Sequence, residues 1–287
     1  MKKHNTIFEA LNGASSFLEE HGREKNAARI LLQHVLKTNY SGLMMKMHDP
    51  IADEQASVFQ DYIEQHVKGK PVQYITGVEE FYGRTFSVDE SVLIPRPETE
   101  ELIVGTLNRM QRLFGENKQV TLADIGTGSG AIAITMKAEW PKAEVTATDL
   151  SEVALQTARK NAEQLNVPIT FKRGDLTEPI AHEKWDVVLS NPPYIAFDDM
   201  KDMSDVVVEH EPHSALFADE NGLILYRKLA EQLPSLMNTP ALIGLEIGYT
   251  QGQAVADLFK NSFPQAQVSV LKDINGKDRI VFCEIYE

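Results

Sequence analysis

The sequence predicts an α/β fold, a mostly parallel seven-stranded sheet with one antiparallel strand, preceded by a small all-α domain. Three observations lead there. Beyond residue 119, short apolar runs alternate with stretches of helical periodicity, as in parallel strands covered by helices on both faces. Before residue 76, apolar side chains recur only at helical spacing between polar breaks. Between these regions, Phe81-Tyr82-Gly83 and Thr85-Phe86-Ser87-Val88 set aromatics around a glycine, which reads as a β-hairpin. The expected organisation is a helical domain over 1–75, a hairpin linker over 76–92 and the sheet domain over 93–287.

Each element has its own signal. Ile7, Leu11, Ala14 and Leu18 follow a Thr6-x-x-Glu9 capping box and predict the first helix. A second, from Asn26 to Lys37, puts Ile30, Leu31, His34 and Val35 on one side, and a third starts at Asp53 with Ala56, Phe59, Ile63 and Val67. His34 reads as a core or rim histidine, because no partner ligand accompanies it at metal-binding spacing. Ile94-Pro95-Arg96-Pro97 forces an extended path, and Pro97 with Glu98, Glu100 and Glu101 behind it starts a helix whose first turn attracts acids. Strands follow at Val120–Ile125, Ala143–Thr148, Ile169–Lys172, Trp185–Ser190 and Ala241–Ile247, with helices to Trp140, over Ser151–Asn166, near Leu223–Leu233 and over Gln251–Lys260. Two last strands, around Val268 and at Arg279–Ile285, flank Asn275-Gly276, a hairpin turn signal that brings in the antiparallel strand.

At 287 residues the chain exceeds the usual size of one domain. Its 43% apolar and 24% charged residues are those of an ordinary globular protein, not of a disordered one. No apolar run approaches the roughly 20 residues that cross a bilayer, and Asn5, Thr6, Glu9 and Asn12 interrupt any signal peptide after Lys2 and Lys3. Cys283 stands alone in an apolar run, where a buried structural thiol is expected, and a cytoplasmic protein follows. The net charge of −14 argues against nucleic acid as a direct partner, since polyphosphate would be repelled over most of the surface. Most of that charge lies after the helical region: residues 1–80 hold 9 basic against 11 acidic side chains, the rest 19 against 31.

The first strand runs into Ile125-Gly126-Thr127-Gly128-Ser129-Gly130, which opens a helix. Glycines there let the backbone turn tightly and approach a ligand at the carboxyl edge of the sheet. A dinucleotide fingerprint is G-x-G-x-x-G, whereas these glycines are spaced G-x-G-x-G. Asp149 ends the second strand, where a carboxylate accepts from both hydroxyls of an adenosine ribose, as either kind of nucleoside cofactor requires. After the third strand, Asp175 offers an acceptor for an adenine amine and Leu176 an apolar surface for the ring. The competing reading is that both acids cap turns.

The fourth strand runs into Asn191-Pro192-Pro193-Tyr194 at the same edge. The prolines offer no backbone donor and stiffen the turn, so the Asn191 side-chain oxygen and the Pro192 carbonyl become convergent acceptors for a planar NH₂ group. Tyr194 then lies against the flat face of that group. Such a clamp suits attack by a poor nitrogen nucleophile on a sulfonium methyl, where positioning rather than a side-chain base is needed.

Asp124 to Gly130 together with Asn191 to Tyr194 resembles the Rossmann-like S-adenosylmethionine-dependent methyltransferases that act on amino groups. Phe81-Tyr-Gly-Arg-Thr-Phe86, Val92-Leu-Ile-Pro-Arg-Pro-Glu-Thr-Glu100, Glu211-Pro-x-x-Ala-Leu216, Gly222-Leu223 and Leu245-Glu-Ile-Gly248 narrow the resemblance to the HemK/PrmC family, over nearly the whole chain. The resemblance implies methylation of the glutamine side-chain nitrogen in the Gly-Gly-Gln motif of peptide chain release factors, with S-adenosyl-L-homocysteine as product. It implies a cofactor site at Gly126, Thr127, Gly128, Ser129, Gly130, Asp149, Asp175, Leu176 and Asn191, and a catalytic clamp of Asn191, Pro192 and Tyr194. Substrate contacts fall on that clamp with Pro193, and on Arg96 and Phe81, which otherwise read as a surface arginine and a hairpin core aromatic. The expected partners are release factors, without nucleic acid or membrane, and the protein is expected to be a monomer. Where Leu176 stands relatives often carry an aromatic, so apolar packing replaces stacking on the adenine.

Residues 196–220 lack a period and are rich in acids, either as a lid over the substrate or as a solvated excursion. His210-Glu211-Pro212-His213 does not make a metal site, since the proline breaks the helical ligand spacing and no third ligand follows. Two rival functions share parts of the pattern. A base amino methyltransferase would use the same clamp but wants a basic track, and a nicotinamide-dependent oxidoreductase leaves Asn191 to Tyr194 unexplained.

Overall fold

The computed structural model describes residues 6–116 and 118–286, so the Lys2-Lys3 start lies outside the described residues. The chain divides into two compact units, one running to Val78 and including Ser204–His210, the other comprising Glu79–Met203 and the residues from Glu211 on.

The first unit is helical, with α1 (Ile7–Glu20), α2 (Asn26–Val35), α3 (Tyr40–Met45), α4 (Asp53–Val67) and α5 (Val72–Thr76). The capping box forms: the Thr6 hydroxyl accepts from the Glu9 N–H while the Glu9 carboxylate accepts from the Thr6 N–H. Helix α2 turns a different face inward from the one its large side chains suggest. Ala27, Ala28, Leu31 and Leu32 are buried, Ile30 is 40% exposed, and His34 is exposed beside the Tyr62 ring. Two alanines let α2 approach its neighbours closely, and that close packing outweighs the burial of one larger aliphatic.

The hairpin of β1 (Val78–Phe81) and β2 (Arg84–Ser87), all but its first residue in the second unit, is turned by Tyr82 and Gly83 at positive φ. Then come α6 (Pro97–Phe114), β3 (Val120–Ile125), α7 (Ala131–Glu139), β4 (Ala143–Asp149), α8 (Glu152–Gln164), β5 (Thr170–Arg173) and β6 (Trp185–Ser190). The short helices α9 (Asp205–His210), which groups with the first unit, and α10 (His213–Leu216), and the turn α11 (Asp219–Gly222), left-handed at Glu220 and Asn221, precede α12 (Ile224–Gln232), β7 (Met237–Glu246), α13 (Gly252–Ser262), β8 (Gln267–Lys272) and β9 (Asp278–Ile285). Residues 196–220 are thus a series of short helical turns, where the sequence shows no period because no piece is long enough to display one.

The sheet order is β5-β4-β3-β6-β7-β9-β8, parallel except for β9, which runs against both neighbours. The central strands β3, β6, β7 and β9 are mostly apolar because each feeds two cores. Leu122, Val187, Leu189, Leu242 and Phe282 join one cluster, while Ala123, Val188, Ile243, Val281 and Cys283 join the other. Cys283 is buried, and burial pushes its thiol up to about 12, so it is an inert packing group. The Asn275-Gly276 turn forms as expected, with the Asp273 carboxylate accepting from the Asn275 and Lys277 N–H groups.

Candidate active site

Strand register assembles the site. The chain runs from β3 out to β5 on one side and then crosses to β6 on the other, so the β3 and β6 ends face a crevice at a topological switch point. Ile125 pairs with Ser190, so Gly126 and Asn191 leave the sheet side by side. Ile125 also pairs with Thr148, which sets Asp149 next to the glycine loop, and Asp149 pairs with Arg173, which sets Gly174 and Asp175 next to it. On the other flank Ser190 pairs with Leu245, which brings Glu246 beside Asn191.

These ends surround a cavity of about 570 Å³. Gly126, Thr127, Gly128, Ser129, Asp149, Asp175, Leu176, Asn191, Pro192, Pro193 and Arg96 line it. Gly126 and Gly128 have φ of +74° and +54°, and a Cβ on either would meet no atom of the chain within 4 Å. Their backbone is therefore open to whatever fills the crevice. Asp149 also holds the turn together, with one oxygen accepting from the Gly128 N–H and the other from the Ser151 N–H, both at 2.9 Å. Each oxygen keeps a second lone pair, so a turn-holding role and a ligand-binding role are compatible.

Three expected site residues do not line the cavity. Gly130 is a packing glycine, since a Cβ there would sit 2.9 Å from Ile134 Cδ1 and 3.2 Å from Ala158 Cβ. Phe81 is 1% exposed and meets Phe86 edge-on at 6.0 Å, so it is a core aromatic of the hairpin. Tyr194 packs among the residues of the second core, against Gly248, and its side chain hydrogen bonds to Glu246 rather than forming a wall of the cavity. In addition, the Thr127 hydroxyl turns inward to donate to Asp124 Oδ2 at 2.6 Å.

Arg96 is not a free surface arginine. It pairs at 2.5 Å with Glu211, a buried carboxylate that also accepts from the Ile94 N–H. The segment after the clamp is pinned to it by a bridge between Ile195 and Phe217, with the Ile195 N–H donating to Leu216 and the Ala218 N–H donating back to Ile195. The Phe197 and Phe217 rings stack at 5.4 Å over this bridge.

Two residues of the site, Thr99 and Glu246, stand in the family's motifs but carried no expected role. The Asn191 side-chain N–H donates to Thr99 Oγ1 at 3.3 Å, and the Thr99 hydroxyl donates to Glu246 Oε2 at 2.6 Å. Glu246 is 1% exposed, and burial pushes its carboxyl up to about 7. The signal was a lone acid closing an otherwise apolar strand, Leu242 to Leu245. Among the described residues, no group of three or more His, Cys, Asp or Glu is placed to hold a metal ion, and no helix is long and apolar enough to cross a membrane. Chemically, the crevice joins an acid-and-glycine half, suited to hydroxyl and amine donors beside a flat ring, to a stiff turn whose asparagine contributes an amide.

Comparison with known proteins agrees with this geometry. Residues 9–77 match the PrmC N-terminal domain and residues 101–215 the methyltransferase small domain. The chain is 50% identical over 281 residues to a release factor glutamine methyltransferase of Bacillus anthracis, covering 97% of this chain and 99% of the relative. It is 45% identical over 284 residues to that of Bacillus subtilis, covering 98% and 99%. Among solved structures, a methyltransferase from Pyrococcus furiosus aligns over 79% of this chain and 98% of its own at 18% identity with a TM-score of 0.54, a likeness of fold. With half its residues shared with such a relative across nearly the full length of both, the chain belongs to the release factor glutamine methyltransferase family.

Proposed function

We propose that the protein transfers the methyl group of S-adenosyl-L-methionine to the side-chain amide nitrogen of the glutamine in the Gly-Gly-Gln motif of peptide chain release factors, and so modulates translation termination in the cytoplasm. The observation that carries this reading is the pairing of Ile125 with Ser190, which sets the glycine loop and Asn191 against one cavity. Full-length relatives that carry the release factor glutamine methyltransferase name support the choice of substrate.

The donor set fits the cofactor. Gly126 and Gly128 leave space where side chains would stand, Asp149 has lone pairs for two ribose hydroxyls, Asp175 is an acceptor for the adenine amine, and Leu176 is an apolar contact for the ring. When bound, the cofactor would supply an electrophilic methyl group for the amide nitrogen, which would give up one of its hydrogens as a proton to solvent, with S-adenosyl-L-homocysteine as the other product. The chain's part is positioning. Asn191 Oδ1 and the Pro192 carbonyl accept the two hydrogens of the substrate amide, and the Pro192-Pro193 turn holds both acceptors rigid. These hydrogen bonds strengthen as the nitrogen gains positive charge in the transition state, so they accelerate transfer and do not only bind. The Arg96–Glu211 pair fixes the neighbouring wall, and the helical domain over 1–75 docks the protein substrate, joined to the catalytic domain by the 76–92 hairpin.

The test is incubation with labelled S-adenosylmethionine and release factor, release factor with its Gly-Gly-Gln glutamine replaced, or DNA. Label is expected on the unmodified release factor only. Label on DNA and none on release factor would overturn the reading.

A further inference from the structure

Asn191 has an amide that can present either end to a substrate, and only one end suits an incoming NH₂ group. The two residues behind it decide which. An ionised carboxylate can only accept, so the Thr99 hydroxyl spends its single hydrogen on Glu246 Oε2. Thr99 then has lone pairs but no hydrogen for Asn191, and the asparagine must offer Nδ2, as it does at 3.3 Å. Were the amide turned end for end, Oδ1 would face an oxygen with nothing to donate. Oδ1 is thereby left outside the relay, as the acceptor that Asn191 brings to the cavity it lines.

We propose that Thr99 and Glu246 are positioning residues that set the hydrogen-bond polarity of Asn191, and through it the preference of the site for a substrate nitrogen carrying hydrogens over a carbonyl or carboxylate oxygen. This rests on the reading of Asn191 as the acceptor for the substrate amide. The same carboxylate also takes a hydrogen bond from the Tyr194 side chain, so Asn191 and the tyrosine that follows its two prolines answer to one buried acid.

The relay needs Glu246 ionised, because a protonated carboxyl would have a hydrogen of its own to give to Thr99. Its charged and titratable surroundings are Arg279 on β9 and Glu98 on α6, with Tyr194 after β6 and Tyr226 on α12. Arg279 and the two donors favour the charged form, while burial and Glu98 oppose it, leaving the carboxyl at about 7. A proton on Glu246 lets the acid donate to Thr99, whose own hydrogen then turns to Asn191 and draws Oδ1 away from the substrate.

The experiment uses the full chain with release factor as substrate and measures kcat, KM, cofactor affinity by calorimetry and the pH–rate profile. Thr99→Val, which keeps the volume and loses the hydroxyl, is expected to lower kcat about 10- to 100-fold with cofactor affinity held within about twofold. Thr99→Ser should recover most of the rate. The wild-type rate should climb between pH 6 and 8 along a limb centred at about 7, and Glu246→Gln should lack that limb. Wild-type kcat in Thr99→Val, a Thr99→Ser as slow as Thr99→Val, or an unchanged limb in Glu246→Gln would each overturn the relay. Asn191→Ala separates the two readings: if it turns over normally, the acceptor role fails, whereas a slow Asn191→Ala beside a fast Thr99→Val sinks the relay alone.

Discussion

Asn191 and Asp149 stand at neighbouring strand ends, yet their removal should have different kinetic consequences. Asn191 touches the reacting group in the proposed arrangement, so Asn191→Ala should cut kcat at least about 100-fold while cofactor affinity changes little. Asp149 holds the Gly128 and Ser151 N–H groups as well as facing the cavity. Asp149→Ala should therefore weaken cofactor binding by about 10-fold or more, and Asp149→Asn should recover only part of it, since its amide nitrogen cannot accept from a backbone N–H. Calorimetric titration of both variants, alongside single-turnover rates, checks the split. Equal losses of rate and affinity in Asn191→Ala would reduce that residue to a cofactor contact.

At the scale of elements, what was legible beforehand depended on whether a residue's role is stated by its own segment. The ends of β3, β4 and β6 could be placed because each run stops at a glycine, an acid or an asparagine before proline, so Gly126, Asp149 and Asn191 were expected at strand ends, where the structure has them. Thr99 and Glu246 were not found, because their importance arises from strand order and from the way α6 packs on β7, neither of which a single segment records. Tyr194 was placed on the wrong side of its loop for the same reason: its partner Glu246 lies 52 residues further along the chain. The segment after Phe197 hid its order because α10 and α11 are each one turn long.

That segment also carries an element-scale prediction. Gly222 has φ +79°, and a Cβ there would lie 2.0 Å from the Tyr194 carbonyl oxygen and 2.5 Å from Gln251 Nε2. The same Gln251 nitrogen donates to Tyr194 and Asn221, so α11 is locked onto the clamp through one side chain. Gly276, in the β8–β9 turn, has a similar φ of +77° with nothing within 4 Å of its Cβ position. Gly276→Ala should cost only the backbone strain, about 1 kcal/mol. Gly222→Ala should cost that and the displacement of the clamp, roughly 2 kcal/mol or more, together with most of the activity. Denaturation midpoints and rates of the two variants test this, and equal stabilities would mean that α11 does not bear on Tyr194.

For the whole molecule, two buried acids make pH the informative variable. Burial pushes both Asp124 and Glu246 up to about 7, from ordinary values of 3.8 and 4.5. Below those ordinary values each group is protonated in the folded and unfolded chains alike, and it costs the fold nothing. As pH rises further the unfolded chain releases the proton first, so each acid lowers folding stability by about 1.4 kcal/mol per pH unit until the folded chain titrates near 7. The stability these groups contribute as neutral acids is thus lost between their ordinary values and pH 7, and the loss levels off where the Glu246 carboxylate forms in the folded chain and becomes available to polarise the clamp. Glu246→Gln removes one of the two titrations. Relative to the wild type, the variant should gain roughly 2 kcal/mol of stability between pH 5.5 and 8, even as it loses the pH limb of the rate. Urea denaturation of both proteins at the two pH values measures the difference. Parallel stability profiles would mean that the buried carboxyl titrates in the folded protein as it does in the unfolded one, and the coupling between ionisation of Glu246 and the polarity of Asn191 would lose its basis.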